Sequence, residues 1–128
     1  MDFTLHQYLE LLESLRSAGF FFQTFGQYLT IASNVRFQNR DGLLLNEHKR
    51  LIILRHDVDD LKLNSLAFAR IQASKGISGS YYFRAVPESW DDVVIKEIYQ
   101  LGHEVGYHYE SLTTCYGNLE KAWDDFRN

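Results

Sequence analysis

The sequence predicts an α/β fold in which parallel strands alternate with helices, preceded by two N-terminal helices, and three observations carry that prediction. From residue 51 onward, apolar runs of strand length alternate with stretches of helical spacing. Gly76 and Gly102 stop two of those helical stretches. Ahead of them, Thr4 with Gln7 and Thr24 with Gln27 repeat the capping-box spacing that opens a helix.

The first helix is expected over 4–17, where Leu5, Tyr8, Leu9, Leu12 and Leu15 recur at helical intervals until Gly19. Phe20, Phe21 and Phe22 form a short apolar passage, and a second, short helix follows Thr24 with Phe25, Tyr28 and Leu29 on one face. Residues 33–50 turn polar and read as a connector, with a turn at 39–42 and a possible short strand at Leu43, Leu44 and Leu45. Beyond it the order is strand 51–57, helix 61–75, strand 79–85, helix 91–101, strand 104–108 and helix 118–127. Leu66, Phe68, Ala69 and Ile71 supply the apolar face of the first crossover helix, and Val94, Ile95, Ile98 and Leu101 that of the second. This divides the chain into N-terminal helices and connector (1–50) and an alternating region (51–128), within one structural domain.

A chain of 128 residues, 45% hydrophobic, has the size of one ordinary domain. Its net charge of −4 and a pI near 5.7, with no basic run, argue against nucleic acid or an anionic membrane as partner. The start lacks a secretory signal and no apolar run reaches bilayer length, so a cytoplasmic, soluble protein is expected. Cys115 is the sole cysteine, which rules out an internal disulfide and leaves carboxylate and imidazole for any metal. The 15% aromatic content suits a sugar-binding cleft and equally a packed core.

The most informative segment is Ile52-Ile53-Leu54-Arg55-His56-Asp57-Val58-Asp59-Asp60, an apolar strand running into acids. Strand side chains alternate, so Asp57 and Asp59 share a face while His56 and Val58 take the other. Two carboxylates so close require a shared proton, a neighbouring cationic side chain or a bound cation, and the cation is the reading preferred here. Capping of the following helix is the competing explanation. His103 and His108 sit at opposite ends of the third strand of this region, roughly 16 Å apart at ~3.3 Å per residue. His103 is therefore read as structural and His108 as the ligand, with Asp59. Glu110, two residues on, offers a further oxygen or a partner for the imidazole. Arg84 ends the second strand, as counter-ion of the acid pair or as a substrate clamp. In parallel α/β proteins chemistry sits at the carboxyl ends of strands, where Asp57, Asp59, Arg84 and His108 all fall. Glu104 and Asp124-Asp125 are expected to be solvated and His6 and His48 exposed, while Tyr107 and Tyr109 could stack on a sugar but are expected to pack in the core.

Two blocks resemble the polysaccharide deacetylases, carbohydrate esterases that remove acetyl groups from chitin-like and peptidoglycan sugars. His56-Asp57-Val58-Asp59 is similar to the Asp-x-Asp form of the family's first motif, and Gly102-His103-Glu104-Val105-Gly106 to the stretch before its metal-binding His-x-x-x-His. The resemblance spans about 51–112. It implies a partial (β/α) barrel, a divalent metal (zinc, or cobalt or nickel), a carbohydrate substrate, Asp57 as catalytic base, and Asp59 and His108 as metal ligands. Arg84 and Glu110 are assigned to substrate binding. Leu112 stands where the family has its second histidine, and the family's later strands, with their orienting arginine, acetyl pocket and acid histidine, have no counterpart. A truncated or split gene product is therefore expected, active or reduced to a non-catalytic carbohydrate-binding or regulatory remnant. Its open barrel edge would be covered by a second copy, by a partner or by the N-terminal helices.

Overall fold

A computed structural model of the chain describes residues 4–38 and 50–128. In order along the chain are α1 (Leu5–Ser17), β1 (Phe21–Gln23), α2 (Phe25–Gln38), β2 (Leu51–Ile53), β3 (Arg55–Val58), α3 (Lys62–Ser74), β4 (Ser80–Phe83), α4 (Asp92–Gln100), β5 (Glu104–Tyr107), α5 (Ser111–Thr114) and α6 (Leu119–Arg127).

Both capping boxes form. Thr4 accepts from the Gln7 backbone while its own N–H donates to the Gln7 side chain at 2.8 Å, and Thr24 and Gln27 exchange the same bonds at 3.2 and 2.9 Å. Asp91 caps α4, accepting from the backbones of Val93 and Val94, and Asn118 caps α6. Gly76 and Gly102 follow α3 and α4 at φ of +67° and +95°, a conformation that glycine takes without strain.

All strand pairs are parallel, as expected from the alternation. β1 pairs with β2 in a two-stranded sheet, and β3-β4-β5 form a three-stranded one. The expected strand 51–57 is broken at Leu54, its first part pairing backward to β1 and its second forward to β4. Phe21 and Phe22 of the apolar passage thus form a strand with Gln23, a pairing set by residues some 30 positions away and invisible to local periodicity. α2 runs through 33–38, which had read as connector. No Gly or Pro interrupts it there, and polar Ser33 and Asn34 lie exposed along the helix. The expected turn at 39–42, the strand at Leu43 to Leu45 and His48 lie outside the described residues.

The core has two parts. Val58, Leu66, Ala69, Tyr81, Phe83, Val94 and Ile98 fill the space between the three-stranded sheet and helices α3 and α4. Tyr8, Leu12 and Ile77 pack α1 against α3, with Phe68 and Ile71 beside them. Both crossover helices thus bury the apolar faces expected of them. Among the described residues, no helix is long and apolar enough to cross a membrane.

Candidate functional site

The two faces of β3 differ sharply. His56 is half-buried and Val58 buried, whereas Arg55 and Asp57 are exposed, so the alternation separates core from open face as the sequence implies. Register extends the open face across the sheet: Arg55 and Asp57 align with Ser80 and Tyr82 of β4, and these with Glu104 and Gly106 of β5.

On that face Arg55 Nε donates to Asp57 Oδ1 at 2.8 Å, and the guanidinium carbon lies 4.8 Å from the centre of the Tyr82 ring. The Tyr82 ring in turn lies against Gly106, where a Cβ would approach it to 2.5 Å, so only glycine fits. The start of α2 closes one end of the face. Gly26 N–H donates to Glu104 Oε2 at 2.8 Å, Phe25 N–H donates to the Ser80 hydroxyl, and that hydroxyl donates to Glu104 Oε1 at 3.0 Å. Glu104, expected to be solvated, is instead a tie between β5, β4 and α2, since its carboxylate accepts from the Gly26 N–H at a helix start and from the Ser80 hydroxyl.

At the carboxyl rim, Asp59, His108 and Glu110 each bring one ligand atom to within 4.8 Å of the others. Asp59 Oδ1 lies 3.5 Å from His108 Nδ1, beyond ordinary hydrogen-bond length. His108 Nδ1 is therefore buried with no hydrogen-bond partner among the described residues. One imidazole nitrogen and two carboxylates are a donor set suited to zinc and its neighbours, with a position left over. Asp57 does not belong to this group. Its Oδ1 is engaged by Arg55, a neighbour two residues back on the same strand face that the sequence reading had passed over.

Arg84 pairs not with the aspartates but with Glu110, Nη2 to Oε2 at 2.7 Å, because both leave the ends of neighbouring strands on the same side. The Arg84 N–H donates to the buried Ser89 hydroxyl at 2.9 Å, and that hydroxyl donates to the Val58 carbonyl, locking the β4 exit to the β3 exit. Helix capping does not account for the acids. The residue at the α3 N-cap is Leu61, in a left-handed conformation at φ 42°, and no side chain caps it.

Two hollows flank His108. The larger, about 510 Å³, is lined by Phe25, Leu29, Arg55, Tyr82, Tyr107, His108 and Tyr109. The smaller, about 300 Å³, includes Arg84, Glu110 and Ser111 in its wall. Tyr107 and Tyr109, expected in the core, are 41% and 61% exposed because the chain leaves the sheet at their level.

The other two histidines of the region serve the fold. His103 Nδ1 accepts from Gly79 N–H at 2.9 Å, so its Nε2 carries the proton and donates to the Ala69 carbonyl at 2.8 Å. Burial lowers its pKa, countered by that second bond. His56 stacks on Tyr81 at 4.4 Å and accepts from the Gln72 amide at 2.6 Å. Gln72, unremarked in the sequence, also donates to the Tyr8 hydroxyl and accepts from that of Tyr81, joining α1, α3, β3 and β4. His6 is exposed beside Glu10, and Asp124 pairs with Arg127 at the surface.

Comparison of the chain with protein-family models, curated proteins and solved structures yields no match.

Proposed function

We propose that the rim beyond β3, β4 and β5 binds a divalent cation, zinc or else cobalt or nickel, and removes acetyl groups from amino-sugar polymers, as the resemblance to polysaccharide deacetylases implies. The reading rests above all on His108 Nδ1, a buried ring nitrogen without a hydrogen-bond partner among the described residues, with oxygens of Asp59 and Glu110 close by. A buried polar atom left unpaired costs about 1–3 kcal/mol, and a cation would remove that cost. A bound divalent ion supplies Lewis acidity to an acyl carbonyl and lowers the pKa of a water.

In this scheme Asp57 accepts the proton, with its carboxylate steadied by Arg55. Arg84 orients Glu110 and contributes to substrate binding from the smaller hollow. His56 takes no part, since its ring belongs to the opposite face and to Gln72. The succession of parallel strands in chain order supports reading the array as the opening part of a (β/α) barrel.

A second reading, a carbohydrate-binding remnant without turnover, draws on the ion pairs that already engage Asp57 and Glu110. Titrating chelator-treated protein with Zn²⁺, Co²⁺ and Ni²⁺, and measuring acetate release from N-acetylglucosamine oligomers, separates the two. Micromolar metal binding lost in His108→Ala, with release abolished in Asp57→Ala, is the expected result. Metal binding with wild type and Asp57→Ala equally inert selects the remnant. Failure to bind any of the three ions refutes the metal site.

A further inference from the structure

We propose that two copies of this chain associate through the apolar face of α5 and α6, with α6 antiparallel to its counterpart about a two-fold axis. Of the nine residues of α6 only Ala122 is buried. So short a helix is marginal in water by its own hydrogen bonds and depends on covering its apolar stripe. Yet Leu119 is 75% and Trp123 58% exposed, and Tyr109, Leu112 and Phe126 beside them are also exposed. The face is continuous: the Phe126 ring stacks on Trp123 at 6.0 Å and meets Tyr109 edge-on at 5.0 Å, and a hollow of about 300 Å³ opens between the two helices. At roughly 200 Å² for a side chain of this kind, its exposed part amounts to about 600 Å² per copy, or ~1,200 Å² when two meet, the lower bound of specific interfaces. An exposed patch of that size marks an interaction surface.

The flanking charges select a second copy of this chain as the occupant. Glu120 and Arg127, seven residues apart, lie on one side of the apolar stripe, and Lys121 and Asp125, four apart, lie on the other. All four are exposed. Each side carries an acid toward one end and a base toward the other, so an antiparallel copy sets Glu120 against the partner's Arg127 and Lys121 against the partner's Asp125. Both pairs are centred close to Trp123, so a single axis aligns them and brings the two Trp123 rings to the middle of the interface, where binding energy concentrates. Antiparallel helices also oppose their dipoles favourably. Arg127 already meets Asp124 at 3.1 Å, but that pair is exposed on its own helix and worth little, and the guanidinium has donors left for a second acid. Tyr109 lines both this hollow and the larger one beside His108, so the second copy adjoins the candidate site.

Sedimentation equilibrium of the whole chain at about 1–300 μM reads the association. Wild type is expected to dimerise with a dissociation constant of about 10 μM, weakened at least about tenfold in Leu119→Glu and in Trp123→Ala. Val93→Glu, at an exposed position on α4 outside this face, should dimerise like wild type. Glu120→Arg sets like charges together and should weaken dimerisation about fivefold, and adding Arg127→Glu should restore it to within about twofold. A wild type that stays monomeric to about 300 μM, dimers that persist in Leu119→Glu and Trp123→Ala, or a Val93→Glu variant weakened as much as these overturns the interface. A double reversal that associates no more tightly than the single one overturns the antiparallel pairing. A monomer that instead adsorbs to phosphatidylcholine vesicles assigns the face to lipid and likewise overturns the proposal.

Discussion

Acidification should destabilise this protein through His56. Burial, with a smaller contribution from the charge of His103 and against an opposing pull from Asp57, lowers the pKa of the ring from 6.5 to about 4. Structure explains the direction: Nε2 accepts a hydrogen bond from the Gln72 amide, whose other bonds run to Tyr8 and Tyr81, so protonation would set donor against donor. Because the folded value lies below the unfolded one, the unfolded chain binds the extra proton first. Stability is thus complete above about pH 6.5 and falls progressively as pH drops toward 4. The difference between 6.5 and about 4 is worth about 3 kcal/mol once both states are protonated, and about 2 kcal/mol at pH 5. Urea unfolding of wild type and His56→Gln at about pH 8 and about pH 5 measures it. Glutamine can still accept from Gln72 but cannot titrate, so the variant should lose about 2 kcal/mol less than wild type between the two conditions. His103 shifts in the same direction in both proteins, so its own desolvation cancels in the comparison and only its weaker coupling to the His56 charge does not. If the two proteins lose stability in parallel, the buried, neutral His56 inferred here is wrong.

Gln72→Leu removes the acceptor of the buried Tyr81 hydroxyl and the donor to His56, and should cost about 2–4 kcal/mol in urea unfolding at neutral pH; a cost below about 0.5 kcal/mol would mean that the network relaxes around the change. Gly106→Ala drives a methyl to 2.5 Å from the Tyr82 ring and should destabilise by about 1–3 kcal/mol while displacing Tyr82 and Arg55, which a crystal structure of the variant would show directly. Leu61→Asn places a residue tolerant of positive φ where an exposed leucine now sits at 42°, and should raise the melting temperature with a gain of up to about 1 kcal/mol; an unchanged or lower melting temperature would show that Leu61 is not strained.

Local signals in the sequence reached the helices far better than the strand partners. Thr4 with Gln7 and Thr24 with Gln27 are complete statements within four residues, and both boxes form as spaced. The alternation around Asp57 needed only the pleat, and exposure follows it residue by residue. β1 was hidden because three residues carry no period of their own and acquire a strand identity only from Leu51 to Ile53. The rim was legible in part: Asp59, His108 and Glu110 do converge, whereas Arg84 chose Glu110 over the aspartates, and Arg55 took Asp57. Partner choice among charges depends on where strands end in space, and spacing along the chain does not encode it. Glu104 and Gln72 were missed for the same reason, since each is meaningful only through distant groups, Gly26 for one and Tyr8 for the other.

The block Gly102-His103-Glu104-Val105-Gly106, half of the resemblance to the deacetylases, is accounted for by the fold. Gly102 makes the positive-φ turn out of α4, and His103 is clasped between Gly79 and Ala69. Glu104 ties α2 to the sheet, Val105 packs against the core, and Gly106 admits the Tyr82 ring. Each residue answers a steric or hydrogen-bonding demand of β5, and none supplies a ligand atom to the rim. Fold and chemistry are thereby divided along one stretch of chain. Through Gly106 the side chains hold the strand; from His108 onward they leave the sheet, and His108 Nδ1 has no hydrogen-bond partner among the described residues. Substitutions at residues 102–106 should accordingly register in stability, whereas His108→Ala should register in metal uptake with little change in the unfolding midpoint, because relief of the unpaired nitrogen offsets the packing lost with the ring.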